Sequence, residues 1–325
     1  MPDHQKAEGL TVAALLSGGR EKLISQGIET ARLDAQILLA HALGRSRMDL
    51  VMNPAIEPGM AEIAAYHALI DRRMRHEPIA YLVGKREFHG HDFSLNHATL
   101  IPRPDSETLV DAVLDQMPDR DGAYRILDLG TGSGCLLLSL LMALPKARGL
   151  GLDISADALL MARRNAENLG CGLRADFLES DWLAGVPHDG RSYDIIISNP
   201  PYIPHGDVQN LMADVRDHEP LRALDGGADG LDVYRALMGP ASHILADGGL
   251  LAFEVGAGQA DAVAQMMALL CGTTPQIYKD LAGFDRVVLA SKAGLPVKEA
   301  DAVEKTLEYD SETVRVWLTR HGEKQ

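Results

Sequence analysis

Residues Arg125–Gly134 read RILDLGTGSG, an apolar run that leads directly into a turn with three glycines. The apolar run is typical of a strand buried in a sheet, and glycine lets the following backbone approach a ligand closely. The order of strand, turn and helix then returns along the chain. Because strands that alternate with helices form parallel sheets covered on both faces, we predict a Rossmann-like α/β fold with a mixed, mostly parallel sheet. The predicted strands are 125–129, 149–153, 193–198, 249–255, 275–279 and 286–290, and the predicted helices are 133–144 and 156–169.

The segments around this pattern predict further units. Residues 10–76 carry apolar side chains at helical spacing, for example in Ala31–Leu43, where Thr30 and Asp34 are candidate capping residues and Gly44 is a stop signal. We therefore predict a small N-terminal helical domain at 1–78, a hairpin-like linker at 79–104, the α/β domain at 105–292 and a charged C-terminal tail at 293–325.

The bulk composition narrows the class of protein. Of 325 residues, 46% are hydrophobic and 24% are charged, as in ordinary globular proteins. The formal net charge of -15 repels phosphate backbones, so we expect no direct nucleic-acid substrate. The cysteines, Cys135, Cys171 and Cys271, are far apart, which predicts no metal site and a reducing cytoplasmic location. The polar start and the short apolar stretch at 135–144 predict neither a signal peptide nor a membrane span, and we expect a monomer.

The spacing of the glycines indicates the class of cofactor. A dinucleotide-binding turn has the pattern G-x-G-x-x-G, whereas here Asp128 precedes glycines at 130, 132 and 134 and would repel a pyrophosphate. A cleft beside this acid suits a cationic ligand, which indicates S-adenosylmethionine. Asp153 ends the second predicted strand and can accept hydrogen bonds from ribose hydroxyls, and Asp181-Trp182 can bring an aromatic face onto adenine. The predicted cofactor-binding residues are Gly130, Thr131, Gly132, Ser133, Gly134, Asp153, Asp181 and Trp182.

Each of these residues also has a purely structural interpretation. A glycine turn can serve close packing, Asp153 or Ser155 can cap the helix that begins at Ala156, and Trp182 can belong to the core. The combination of all of them in this order favours the cofactor site.

The tetrapeptide Asn199-Pro200-Pro201-Tyr202 follows the predicted strand 193–198 and indicates the chemistry. The Asn199 side-chain oxygen and the Pro200 carbonyl can each accept one N–H of a planar NH2 group, while the prolines stiffen the backbone. Both bonds strengthen as positive charge grows on the nitrogen during methyl transfer. We predict Asn199 and Pro200 as catalytic residues, and all four as substrate-binding residues, with Tyr202 packing on the substrate. The motif alone leaves a glutamine amide, adenine N6 and cytosine N4 open.

Beyond these two motifs, the chain resembles the HemK/PrmC family of protein-(glutamine-N5) methyltransferases over residues 10–291. The segments that carry the resemblance are EPIAYLVG at 77–84, FHG at 88–90, IPRPDSE at 101–107, DLGTGSG at 128–134, DW at 181–182, NPPY at 199–202, ALDGG at 223–227, DGL at 229–231 and KDLAG at 279–283. One departure is Asp105, where the family more often has glutamate, which keeps the charge.

The resemblance implies a Rossmann-like S-adenosylmethionine-dependent methyltransferase domain behind an N-terminal substrate-docking domain. It implies contact of Asn199 with the cofactor, with S-adenosylhomocysteine as product and no metal. The implied substrate is the glutamine of the Gly-Gly-Gln motif in class I peptide chain release factors. Three alternatives stay open: a glutamine methyltransferase of a ribosomal protein, an amino-methylating DNA or RNA enzyme, and a non-catalytic cofactor-binding scaffold.

Overall fold

The computed structural model describes residues 10–186 and 192–293, so the predicted tail lies outside the described residues from 294 onward. The described residues divide into two compact units, one of residues 10–85 with 212–218 and the other of the remaining described residues from 86 onward. The helices are α1 Val12–Ser25, α2 Ala31–Leu43, α3 Arg47–Met52, α4 Met60–Arg73, α5 Ile79–Val83, α6 Glu107–Asp115, α7 Cys135–Ala143, α8 Ala156–Asn168, α9 Ala213–Arg216, α10 Asp232–Ile244 and α11 Ala260–Cys271. The strands are β1 Lys85–Phe88, β2 His91–Ser94, β3 Arg125–Leu129, β4 Arg148–Asp153, β5 Ala175–Glu179, β6 Tyr193–Ser198, β7 Leu245–Glu254, β8 Gln276–Lys279 and β9 Asp285–Ser291.

The helical unit has its own apolar core, in which Leu23, Leu38 and Ile70 are fully buried. The first helix begins where the Thr11 side chain accepts a hydrogen bond from the Ala14 amide. Thr30 occupies the N-cap position of α2, as expected, but its side chain donates to the Asp34 carboxylate at 2.9 Å instead of accepting from a backbone amide.

A buried arginine joins the parts of the helical unit. Arg73 is 6% exposed and donates to carboxylates of Asp34 and Asp214, both at 2.8 Å, and to the Glu77 carbonyl at 3.2 Å. Asp214 lies in the segment 212–218, and the ring of His218 in the same segment is 2.8 Å from the Arg75 carbonyl. These contacts explain why a segment so distant in sequence belongs to this unit.

The predicted hairpin-like linker is shorter than its bounds suggested. Residues Ile79–Val83 form a helix, which begins after Pro78 and ends at Gly84, and the hairpin consists of β1 and β2 only. Proline is favourable just before the first turn of a helix. In addition, Ala80, Tyr81 and Leu82 are all buried, whereas successive residues of a strand with one face in solvent would alternate between buried and exposed.

The second unit contains a seven-stranded sheet in the order β5-β4-β3-β6-β7-β9-β8. The pairs β3–β4, β3–β6, β4–β5 and β6–β7 are parallel, and β9 is antiparallel to both of its neighbours. Alternate residues of each strand face two separate cores, so Ile126 packs with α6, α7 and α8, and Leu127 packs with α10 and α11. The predicted fold class, an α/β domain with a mixed, mostly parallel sheet, is confirmed.

One helix begins later than predicted, and one strand was not predicted, each for a physical reason. Helix α7 begins at Cys135 and not at Ser133, because Gly134 adopts a left-handed φ of 81° that no helix interior contains. Strand β5 has no counterpart among the predicted bounds, since Asp176 and Glu179 interrupt its apolar pattern at the edge of the sheet. No helix in the described part of the chain combines the length and apolarity needed to cross a lipid bilayer.

Candidate active site

A cavity of about 220 Å³ opens beside the carboxyl ends of β3, β4 and β6. Ligands bind at this edge in open α/β sheets, because the loops that leave the strands can diverge there. Several residues predicted from the sequence line the cavity, namely Gly130, Gly132, Asp153, Asp181, Trp182, Asn199 and Pro201. The structure therefore brings together the glycine turn at 130–134 and the tetrapeptide at 199–202, which are far apart in the chain.

The other predicted residues lie behind the cavity wall. Thr131 and Ser133 are buried, with the Thr131 hydroxyl donating to Asp128 at 2.6 Å. A Cβ at Gly134 would stand 3.1 Å from the Leu138 side chain, Pro200 is buried, and Tyr202 is half-buried. Their roles in binding cofactor or substrate stay predictions.

The glycine-rich turn is fixed by backbone hydrogen bonds. The amides of Gly130 and Thr131 both donate to the Leu152 carbonyl, at 2.9 and 2.8 Å. A Cβ at Gly130 would stand 3.4 Å from the Trp182 ring, and the backbone there has a left-handed φ of 74°. The left-handed backbone therefore favours glycine at this position, while the indole packs directly over it.

Trp182 itself has an uncommon backbone. Its φ of 48° is rare for a bulky side chain and is maintained by Ser180, whose hydroxyl donates to the Trp182 carbonyl at 2.6 Å and accepts from the Gly185 amide at 2.8 Å. Strain of this kind is typical of ligand sites, where it fixes the direction of a side chain. The half-buried indole faces the cavity, as expected of a residue that packs on adenine.

Asp153 connects the turn to the start of α8. One of its carboxylate oxygens accepts from the Gly132 amide and the other from the Ser155 amide, both at 2.9 Å. The N-cap of α8 is Ser155, whose side chain accepts from the Ala158 amide at 3.3 Å. Since each carboxylate oxygen has a second lone pair, Asp153 keeps acceptor capacity toward the cavity for ribose hydroxyls.

The strongest electrostatic feature beside the turn is Asp128. It is fully buried, its Oδ2 accepts from Thr131, and its Oδ1 has no hydrogen-bond partner within the described residues. Burial, the largest cause, and the negative charge of Asp153 together raise the pKa of this carboxyl to about 7, although the hydrogen bond from Thr131 lowers it. A cavity next to two acids favours a cation, so these residues fit S-adenosylmethionine, with its sulfonium and amino group, and disfavour a pyrophosphate.

The tetrapeptide is held in one orientation at the end of β6. The Ser198 hydroxyl donates to the Leu129 carbonyl at 2.7 Å, which ties the strand end to β3. The Asn199 Nδ2 donates to the Ser106 Oγ at 3.2 Å. Within the described residues Asn199 Oδ1 accepts no hydrogen bond, so this oxygen can accept one from a ligand in the cavity.

The backbone after the tetrapeptide is clamped by a neighbouring loop. The Gly226 amide donates to the Ile203 carbonyl at 2.8 Å, and a Cβ on Gly226 would stand 2.7 Å from the Tyr202 Cα. Gln259 Nε2 donates to the Tyr202 carbonyl at 2.9 Å. The ALDGG segment noted in the sequence thus serves close approach to the tetrapeptide.

The segment 101–107 borders the same region. Glu219 is 7% exposed, accepts from the Ile101 amide at 3.2 Å and forms an ion pair with Arg103. Pro104 begins a single 3-10 turn that leads into α6, and Asp105 lies 3.7 Å from Arg286. Glu219, Arg286 and Gln259, which contact the segment 101–107 or the tetrapeptide, were not predicted from the sequence.

The fold and the site together define an S-adenosylmethionine-dependent methyltransferase. The parallel sheet places the acid-flanked glycine turn and the Asn-Pro-Pro-Tyr tetrapeptide at one cavity, which is the arrangement that methylation of a planar NH2 group requires. Within the residues described, no group of three or more histidine, cysteine, aspartate or glutamate side chains is arranged to hold a metal ion.

Comparison with known proteins gives the family. Two family models match, the PrmC N-terminal domain at residues 14–84 and the Methyltransferase small domain at residues 105–218. The release factor glutamine methyltransferase of Caulobacter vibrioides is 40% identical over 283 residues, which cover 87% of this chain and 97% of that protein. Its counterpart in Rhodospirillum rubrum is 44% identical over 292 residues, 90% of this chain and 88% of that protein. The chain belongs to the release factor glutamine methyltransferase family.

Solved structures agree on the fold. The hMettl16 catalytic domain, in complex with an RNA hairpin, aligns with a TM-score of 0.51 and 14% identity, covering 63% of this chain and 76% of that one. At that identity the similarity concerns the fold alone.

Proposed function

We propose that this protein transfers a methyl group from S-adenosylmethionine to the side-chain N5 of the glutamine in the Gly-Gly-Gln motif of class I peptide chain release factors, releasing S-adenosylhomocysteine. The observation that carries the proposal is the orientation of Asn199, whose Nδ2 is bound to Ser106 while its Oδ1 is free beside the cavity. The names of the relatives from Caulobacter vibrioides and Rhodospirillum rubrum support the choice of substrate.

Asn199 and Pro200 position the substrate amide. The Asn199 Oδ1 and the Pro200 carbonyl each accept one N–H, which leaves the nitrogen with a single direction in which it can react. The proline at 200 restricts Asn199 to extended backbone conformations, so little further ordering is needed when the substrate binds. S-adenosylmethionine, when bound, supplies the methyl group.

The transfer forms one N–C bond and breaks one C–S bond, and the nitrogen gains positive charge until it loses a proton to water. The two acceptors stabilise that charge more in the transition state than in the bound substrate, which is the condition for a faster reaction. The acids Asp128 and Asp153 contribute a negative potential near the glycine turn, where the cation of the cofactor would be held by Gly130, Gly132 and Asp153.

The proposal also covers the oligomeric state, the class of substrate and the cellular location. The enzyme acts as a monomer on a protein substrate, without nucleic acid as substrate and without metal. Its three cysteines are all free thiols, which suits a cytoplasmic location.

The test is methyl transfer from labelled S-adenosylmethionine to a purified class I release factor, located by peptide mass spectrometry. We expect a mass increase of one methyl group on the Gly-Gly-Gln peptide and none on a release factor with that glutamine replaced by alanine. Transfer to a ribosomal protein or to DNA, with none to the release factor, would refute the proposal. Those two substrates, assayed in parallel, represent the alternatives that the tetrapeptide leaves open.

A further inference from the structure

Glu219 fixes the position of the segment 101–107. Its side chain is 1% exposed, and both of its carboxylate oxygens have partners. The Oε2 accepts from the Ile101 amide at 3.2 Å, and the Oε1 forms an ion pair with Arg103. Hydrogen bonds to a charged acceptor that is shielded from water are stronger than those between neutral groups in water. The start of the segment is therefore bound to Glu219 at two points.

A single tight turn connects Arg103 to Ser106. The Ser106 amide donates to the Arg103 carbonyl at 3.1 Å, and the turn begins with a proline, whose φ is fixed. A turn that is closed by a hydrogen bond and stiffened by proline transmits a displacement of Arg103 to Ser106. Another ion pair of this turn, between Asp105 and Arg286, contributes little, because its atoms are 3.7 Å apart and the Asp105 side chain is 54% exposed. Ser106 therefore lies where Arg103 is held.

Ser106 determines which end of the Asn199 amide faces the cavity. The terminal torsion of asparagine is broad and roughly two-fold, so the side chain alone does not choose between Oδ1 and Nδ2. Ser106 is 3% exposed and its Oγ accepts from the Nδ2 at 3.2 Å, which leaves the Oδ1 for a ligand in the cavity. That distance is near the upper limit for a hydrogen bond, so a displacement of Ser106 by roughly 0.5 Å would break it.

We propose that Glu219 and Arg103 are positioning residues for methyl transfer, which act through the turn 103–106 and the Ser106 hydroxyl to hold the Asn199 oxygen toward the substrate amide. Neither Glu219 nor Arg103 lines the cavity, so they act through Asn199 and not by contact with a ligand. This inference rests on the proposed function for the identity of the reaction, but the orientation of Asn199 is a property of the protein alone.

The kinetic test compares Arg103→Met and Ser106→Ala with the wild type and with Arg174→Met, a matched control. Arg174 is half-buried like Arg103 and donates to three backbone carbonyls around the end of α7, but it does not line the cavity. We expect both test variants to lower the single-turnover rate of methyl transfer by about 10- to 100-fold, as loss of the groups that orient a metal ligand does. Arg174→Met should keep the wild-type rate, and Arg103→Lys, which keeps the charge beside Glu219, should keep most of it. Test variants with the wild-type rate would overturn the proposal.

Glu219→Gln tests the carboxylate itself. The amide oxygen can still accept from the Ile101 amide, but the charge that binds Arg103 is lost, so the rate should fall as in Arg103→Met. The double variant should be no slower than either single variant, because both changes break the same contact. In an Asn199→Ala background none of the three substitutions should lower the rate further, because no amide is left to orient. A full additional loss in that background would mean that these residues act elsewhere and would contradict the proposal.

A measurement without substrate separates this inference from the proposed function. In protein labelled with 15N-asparagine, the Nδ2 signals of Asn199 are assigned by their disappearance in Asn199→Ala. We expect their protons to exchange with water faster in Ser106→Ala, Arg103→Met and Glu219→Gln than in the wild type and in Arg174→Met, because a hydrogen-bonded N–H is protected from exchange. Unchanged exchange in the three variants would refute the positioning role. A wild type that methylates no release factor, but shows this pattern of exchange, would refute only the choice of substrate.

Discussion

Replacing the buried Asp128 by asparagine should make the stability of the protein less dependent on pH. The group has a pKa of about 7 in the folded protein, because burial and the charge of Asp153 disfavour its ionised form, against 3.8 for an ordinary aspartate. Between those values the folded state holds a proton that the unfolded state has lost. The wild type therefore loses stability as pH rises through this window, and the loss is complete above about pH 7.

The magnitude follows from the same two values. From pH 5 to about pH 7 the carboxyl is protonated in the folded protein and ionised in the unfolded chain. Each of these roughly two pH units lowers the unfolding free energy by about 1.4 kcal/mol, so the wild type should lose about 3 kcal/mol through this one carboxyl. Asparagine has no such dependence. The difference in unfolding free energy between Asp128→Asn and the wild type should thus shift by about 3 kcal/mol in favour of the variant from pH 5 to pH 8.

The assay is urea unfolding of both proteins without cofactor at the two pH values. Any constant effect of the new amide, such as an unpaired N–H, cancels between pH 5 and pH 8, and the contribution of Glu254 cancels between the two proteins. Asp121→Asn, which makes the same substitution at an exposed position of the same unit, is the matched control. An Asp128→Asn variant whose stability relative to the wild type is the same at both pH values would refute the reasoning.

Three further predictions concern single residues. Asn199→Ala should lower the rate of methyl transfer by about 10²- to 10³-fold in single-turnover assays, as does loss of one preorganised hydrogen bond at a reacting group, and an unchanged rate would remove it from the catalytic residues. Asp153→Ala should weaken cofactor binding by about 1–3 kcal/mol in calorimetry, because hydrogen bonds to a charged group are lost; equal affinity would exclude Asp153 from the site. Arg73→Met should lower the unfolding free energy by about 3–5 kcal/mol, because it leaves the buried carboxylate of Asp34 unpaired, and Arg73→Met with Asp34→Leu should recover much of that loss in thermal unfolding. A double variant no more stable than Arg73→Met would contradict this account.

The sequence predicted those parts of the site that are local. The glycine turn at 130–134 and the tetrapeptide at 199–202 are each recognisable from a few consecutive residues, because each needs a backbone conformation that glycine or proline provides. The order of strands then suffices to bring both motifs to one edge. Segment 79–83 shows the limit of local patterns, because five apolar residues after a proline are compatible with a strand or a helix. In the structure the segment is a helix in which three consecutive side chains are buried.

The contacts of the tetrapeptide could not be predicted, because they join residues that are far apart in the chain or depend on strand register. Ser106 is 93 positions from Asn199 in the chain, and Glu254 lies on a strand whose alignment with β6 shifts at an irregularity between Tyr193 and Ile195. A change of one residue in that register would turn Glu254 to the other face of the sheet. No pattern within either strand fixes the register, so only the folded structure reveals the acid.

Buried acids of two kinds occur in this protein, and they differ in whether a cation neutralises them. The difference distinguishes an acid that stabilises the fold from acids that indicate a functional site. Asp34 is buried against Arg73, which neutralises it, and this pair holds the helical unit together. Asp128 is buried against the glycine turn, where it accepts from Thr131, and Glu254 is buried against the tetrapeptide, where it accepts from Tyr202. Each has one oxygen that has no partner among the described residues, and burial raises the pKa of each to about 7. A fold gains nothing from an acid in that state, since protonated it is a poor apolar group and ionised it is an uncompensated charge. Buried acids that are costly to the fold and lie close to one site indicate a functional role, and the cationic cofactor that we propose at the glycine turn accounts for Asp128.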